Sequence, residues 1–263
     1  MDMTLYGEET KNLFWILGNE TRFQIIMQLV NNLDGLSISK IAKNLETTIP
    51  NINKSADLLR RYNIIQKDGN NICHLTSFGK RVTTHIGFFN FISESKDYFN
   101  NHDIGNLPGE FAQRMAVFAD SERIQGVPLI SAKEKEMLCN SKEYMHSILY
   151  EAKFDTDLLS TMKKKLDEGI KIITVYGKNS IIHPDSKKIF KGAGLGPYVI
   201  NGQISRKDKN FNIQVSVVVT DNESLVMFPN TNGKVDTTEA FYGKSKELQV
   251  WCEQYFQYCL DIE

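Results

Sequence analysis

Apolar residues recur at helical spacing from the start of the chain. Leu13, Phe14, Ile16 and Leu17 mark one helix, and beyond Asn19, a candidate N-cap, Phe23, Ile25, Ile26, Leu29 and Val30 form the buried stripe of a second. Gly35 breaks the chain, Ser37 is placed to cap a short helix ending at Leu45, and Glu46-Thr47-Thr48 makes a compact turn. The next helix is predicted over residues 50–62. Thr48 is its N-cap, accepting backbone N–H bonds, and Pro50 sits in the first turn, where a missing N–H costs nothing. Asp68-Gly69-Asn70-Asn71 then separates two short extended runs, the second ending at Leu75, which is the pattern of a hairpin. Thr76 is placed to cap one long helix from Phe78 onward, carrying Phe88, Phe89, Phe91, Tyr98 and Phe99.

After this helix the pattern changes. Apolar runs at residues 127–130, 146–150, 170–176, 199–204, 213–220 and 224–228 read as strands, and helical stretches at 156–168, 186–192 and 244–260 fall among them. Early strands separated by helices predict an α/β domain with a mixed sheet, whose later strands, joined through Asp221-Asn222, form an antiparallel hairpin. The expected architecture is an α+β winged helix-turn-helix domain followed by that α/β domain. Residues 1–85 form the first, 86–101 a linker helix and 102–263 a sensor or dimerisation domain, with the boundary falling between Thr83 and Asn101. No internal repeat, heptad array or low-complexity tract interrupts either part.

Charge adds a function to the first part. The formal net charge of the 263 residues is −1, which excludes a uniformly basic coat. From Ser37 to Arg81, however, eight cations face three anions, so this segment is basic on an otherwise acidic chain. A helix-turn-helix needs a bracing helix, a tight turn and a second helix whose exposed side chains reach base edges, and residues 37–62 supply all three. With Ile49, Ile52, Ala56 and Leu59 facing the core, Asn51, Asn53, Lys54 and Ser55 are expected to point outward. Asn pairs bidentately with adenine, Ser bonds to bases or phosphates, and Lys contacts guanine or phosphate. Thr48 stands at the start of that helix, Lys40 and Lys43 are placed to grip the backbone, and Lys67, Asn70 and Asn71 in the hairpin are placed to touch a phosphate or the minor groove. The expected partner is double-stranded DNA, bound by a two-fold homodimer on successive half-sites.

Two motifs carry a family resemblance. Leu17-Gly18-Asn19-Glu20-Thr21-Arg22-Phe23-Gln24-Ile25-Ile26 resembles the Leu-x-x-x-x-Arg-x-x-Ile-Leu opening of ArsR-type winged helices, and Leu75-Thr76-Ser77-Phe78-Gly79 resembles their exit from the wing. The rest of the chain is similar to archaeal regulators that join such a domain to a methanogenesis-regulator-type middle domain. Tyr98-Phe99-Asn100-Asn101-His102-Asp103, Leu107-Pro108, Val219-Thr220-Asp221, Val235-Asp236 and Trp251 carry that likeness. The resemblance implies a transcription regulator with a distant phospholipase-D-like or TrmB-like sensor fold, and it names no effector. The paired cysteines of metal-sensing relatives are missing, since the first domain holds only Cys73.

Other chemistry is weakly marked. Cys73, Cys139, Cys252 and Cys259 form no Cys-x-x-Cys pair, so no metal site is expected, nor any cofactor. Residues 1–10 lack an apolar signal region and no stretch approaches the roughly 18 apolar residues that span a bilayer, so the expectation is a cytoplasmic protein off the membrane. Phospholipase-D-type hydrolysis uses two His-x-Lys-x-x-x-x-Asp motifs. The nearest candidate, His183-Pro184-Asp185-Ser186-Lys187, has the wrong spacing, and His102-Asp103 reads as a capping or packing pair, so no enzyme is expected. Gly192-Ala193-Gly194-Leu195-Gly196 completes no phosphate-binding motif and reads as a turn. Tyr176, His183, Tyr198 and Arg206 are candidates to line a pocket for a small-molecule effector. Cys252 and Cys259 fall two helical turns apart and are expected to join Trp251, Tyr255 and Phe256 in a core or dimer stripe. The alternatives are a winged helix that binds protein as a sensor or scaffold, and a phospholipase-D-like phosphodiesterase.

Overall fold

The computed structural model describes residues 7–262; residues 1–6, most of the segment read for a signal sequence, and residue 263 lie outside the described residues. The chain divides into two compact units, parted between Gly87 and Phe88.

The first unit opens with α1 (Glu8–Leu17) and α2 (Glu20–Val30), and the Asn19 side chain caps α2 by accepting from Arg22 N at 3.1 Å. Then come β1 (Leu36–Ser37), α3 (Ile38–Asn44), α4 (Ile49–Arg61), β2 (Ile65–Lys67), β3 (Ile72–Leu75) and α5 (Ser77–Thr83). The strands pair antiparallel in the order β1-β3-β2. Ile25, Ile26, Ile41, Ile52, Ala56, Leu59 and Ile64 are fully buried at the centre. Two expectations about α4 fail. Ile49 is 49% exposed at the first turn of the helix, where it lines an open groove, and Ser55 is buried because it falls within the Ile52–Ala56–Leu59 stripe at helical spacing.

The single long helix expected from Phe78 is three segments: α5, α6 (Ile86–Glu94) and α7 (Lys96–Phe99). The hydroxyls of Thr83 and Thr84 donate to the carbonyls of Lys80 and Arg81 at 2.9 and 2.6 Å, a local alternative to the helical ladder where α5 ends. Phe91 and Tyr98, within the stretch read as a linker, are buried in the core of the second unit.

The second unit continues through α8 (Gly109–Ala112), a 3₁₀ turn (Met115–Phe118), β4 (Glu122–Gln125), α9 (Val127–Asn140), β5 (Tyr144–Ile148), β6 (Glu151–Ala152), α10 (Thr156–Asp167) and β7 (Lys171–Tyr176). It is completed by β8 (Ile181–Ile182), α11 (Pro184–Gly192), α12 (Gly196–Ile200), β9 (Ile204–Asp208), β10 (Ser216–Thr220), β11 (Ser224–Met227), β12 (Glu239–Gly243) and α13 (Lys246–Asp261). Seven strands form one mixed sheet in the order β4-β12-β11-β10-β5-β7-β9, with β5, β7 and β9 parallel and the remaining pairs antiparallel. β10 and β11 form the hairpin through Asp221-Asn222, and both are buried along their whole length, as strands covered on two faces must be. Two predicted strands are corrected. Residues 127–130 begin α9, with Pro128 in its first turn, and residues 196–200 are α12, so β9 starts only at Ile204.

Candidate functional site

In the first unit the face made by α3, α4 and the β2–β3 hairpin carries most of the predicted contacts. Asn53 of α4 lines a groove of about 300 Å³ together with Ser37, Ser39, Ile49, Lys67, Asn70 and Asn71. The hairpin turn is fixed by Asp68, whose carboxylate accepts from Asn70 N (2.8 Å), Ile72 N (2.9 Å) and the ring of His74 (3.1 Å). The Ile72 N–H and then the His74 ring hold this carboxyl below its ordinary value. Asn71 sits at φ 60°, a left-handed conformation that Asn tolerates. At the exit from the hairpin, Thr76 Oγ1 accepts from Gly79 N at 2.9 Å. A Cβ on Gly79 would meet the Ile64 carbonyl oxygen at 2.0 Å, so a side chain there would push α5 off the strand.

Lys40, Lys43 and Lys54 are exposed, and among the described residues neither they nor Lys67 form an ion pair. Thr48 is exposed at the N-cap position, but its side chain makes no capping bond, contrary to expectation. The second helical residue is Pro50, which has no N–H to offer. Asn51 donates to Thr47 Oγ1 at 3.1 Å. Ser55, being buried, is removed from the outward-facing set. Ser39 was missed by sequence reasoning. Its position two residues beyond the cap residue Ser37 was the signal, and the two hydroxyls lie 3.2 Å apart.

In the second unit a cavity of about 360 Å³ opens between β7, β9 and α11. Tyr176 and Arg206 both line it, and the Arg206 guanidinium lies 4.6 Å above the Tyr176 ring. Nε and Nη2 of Arg206 donate to the Asp208 carboxylate at 2.9 and 2.6 Å. Burial pushes the Tyr176 hydroxyl up to about 12. His183 and Tyr198 are not among the lining residues. His183 Nε2 lies 2.7 Å from Glu151 Oε1, and the Tyr198 hydroxyl donates to Asp167, so a carboxylate holds each elsewhere. A smaller hollow of about 80 Å³ shares the walls Phe154, Met162, Ile172 and Thr174 with the larger one, and Glu134 lines it. Burial alone pushes the Glu134 carboxyl up to about 7.

The remaining candidates are structural. His102 pairs with Asp236 and not with its neighbour Asp103. Its Nε2 lies 2.9 Å from Asp236 Oδ2 and its Nδ1 2.9 Å from the Tyr98 carbonyl, whereas Asp103 accepts from Ile104 N. Cys252 and Cys259 are buried within one chain beside Trp251, and burial pushes each thiol up to about 12, which keeps them protonated. Among the described residues no group of three or more His, Cys, Asp or Glu is placed to hold a metal ion, and no helix is long and apolar enough to cross a membrane.

No family model matches the chain, and no curated protein matches it. Among solved structures it is similar to TrmBL2, an archaeal chromatin protein with a novel mode of DNA binding, at 13% identity and a TM-score of 0.41, covering 94% of this chain and 96% of that one. It is also similar to NucT from Helicobacter pylori, at 11% identity and a TM-score of 0.39, covering 54% of this chain and 96% of that one. Nuc from Salmonella typhimurium, a phospholipase D family member, gives 13% identity and a TM-score of 0.37, covering 54% of this chain and 93% of that one.

Proposed function

We propose that the chain is a DNA-binding transcription regulator in which the first unit is a winged helix-turn-helix. α4 is the recognition helix and the β2–β3 hairpin the wing. One observation carries this reading: Asn53 of α4 shares a groove with Lys67, Asn70 and Asn71 of the hairpin, beside lysines that form no ion pair among the described residues. Asn suits base edges and lysine suits phosphate, and a winged helix brings the two together on one duplex. The regulator acts as a homodimer, and the cavity of the second unit takes an effector. The second unit binds that ligand without transforming it: His183-Pro184-Asp185-Ser186-Lys187, the nearest approach to a phosphodiesterase motif, has the wrong spacing for one.

Mobility shifts on genomic fragments test the reading. A dimer using Lys40, Lys43, Lys54 and Lys67 on each half-site makes on the order of 6 to 8 phosphate contacts, for a log–log salt slope of roughly −5 to −7. Lys43→Ala flattens that slope by up to about two units, weakening specific and random DNA alike. A slope near zero, or no fragment protected above competitor, overturns the proposal in favour of a winged helix that binds protein.

A further inference from the structure

The cavity of the second unit is chemically two-sided. Its inner walls are Phe154, Met162, Ile172 and Phe190, while its lining includes three cations, Lys187, Lys191 and Arg206, and no carboxylate. Asp208 already neutralises Arg206. Lys187 and Lys191 stand one turn apart on α11, both are exposed, and neither forms an ion pair among the described residues. Two adjacent, uncompensated ammonium groups beside an apolar cavity favour an anion there. The lining offers hydroxyls only at Thr174, Tyr176 and Ser205, too few to pair every hydroxyl of a polyol or a sugar against the apolar walls.

The depth of the site adds a second constraint. The smaller hollow, of about 80 Å³, shares the walls Phe154, Met162, Ile172 and Thr174 with the larger one, so an apolar chain lying against these walls reaches the edge of both. Glu134 and Glu151 both line that hollow, with Lys153 paired to Glu151 at 3.0 Å, so a second anionic group on the ligand is disfavoured there. The combined shape suits a molecule with one charged end. We infer that the cavity binds an acyl-chain carboxylate, its head between Lys187 and Lys191 and its chain running inward over Ile172 toward Phe154 and Met162. The inference rests on reading the second unit as the ligand-binding part of a regulator.

Calorimetric titration of the full chain with decanoate, decanol and decyltrimethylammonium, each below its micellar concentration, tests it. Decanoate binds, decanol binds roughly tenfold or more weakly for want of the charge-assisted contact, and the cation does not bind. In a K187A/K191A variant, decanoate affinity falls to the decanol level while decanol affinity is unchanged. Equal affinity for decanoate and decanol, undiminished decanoate binding by the variant, or no decanoate binding overturns the inference. Mobility shifts on the same preparation separate the two readings. DNA binding without decanoate uptake sinks the ligand class alone, and decanoate uptake by a protein that binds no DNA sinks the regulator alone.

Discussion

Polar side chains are used differently in the two units. Inside the second many of them are closed into partnerships, Glu134 being an exception among the described residues. His102 is held between Asp236 and the Tyr98 carbonyl, and the Glu223 carboxylate, its side chain 1% exposed, faces the Tyr242 hydroxyl at 2.9 Å and the Lys244 ammonium at 2.8 Å. On the α4 and hairpin face of the first unit, Asn53, Lys54 and Lys67 have no side-chain partner among the described residues. The first unit is not simply less well bonded. Arg22, almost fully buried, donates to the carbonyls of Ile16 and Trp15 at 2.7 and 2.8 Å and lies 4.7 Å above the Trp15 ring. A committed polar group holds the chain, and a row of uncommitted ones on a single face is free to hold something else.

That contrast can be broken at several points. Trp251 is fully buried and donates to the Phe111 carbonyl at 3.1 Å, so Trp251→Ala is expected to cost about 3–5 kcal/mol. Denaturant unfolding followed by probes in each unit should confine the loss to the second; an equal shift in both would mean that the division at Gly87 is not a thermodynamic one. Arg22→Ala removes two charge-assisted bonds and should cost about 2–3 kcal/mol, confined to the first unit in the same experiment.

Asn53→Ala should leave stability unaltered while weakening specific DNA binding by about 1–3 kcal/mol, and an unchanged footprint would refute its place on the recognition face. The Glu134 carboxyl titrates near pH 7 in the folded chain against 4.5 for an ordinary glutamate. Below pH 4.5 it is protonated in both states and contributes nothing. Between pH 4.5 and 7 the unfolded chain ionises first, so stability falls as pH rises, and above 7 the penalty is constant. Glu134→Gln should flatten this part of a urea-midpoint profile against pH. Ser55→Ala should be the mildest change, altering specific DNA affinity by no more than about 0.5 kcal/mol because the buried hydroxyl cannot reach a groove. A larger loss would return Ser55 to the contact surface.

The chain by itself determined what is written in neighbouring residues. Asn19, Ser37 and Thr76 cap the helices they precede, Asp68 builds the hairpin turn, and Asp221-Asn222 joins β10 to β11, because most caps and turns are settled within four residues of sequence; Thr48, whose side chain makes no capping bond, is the exception. Short apolar runs did not determine their own conformation. Residues 127–130 suit a strand as well as a helix, and only the burial of Ile130, Met137 and Leu138 along one face of α9 decides between them. β4 and β12 were invisible, since β12 is a strand by virtue of its pairing between β11 and β4, and β4 by virtue of β12. Pairings across long stretches were likewise decided in space. His102 finds Asp236 at a separation of 134 residues, while Glu151 and Asp167 draw His183 and Tyr198 away from the cavity that Tyr176 and Arg206 share. Polarity marks a residue as able to bond, but the choice of partner belongs to whichever groups the packed sheet and helices bring within about 3 Å.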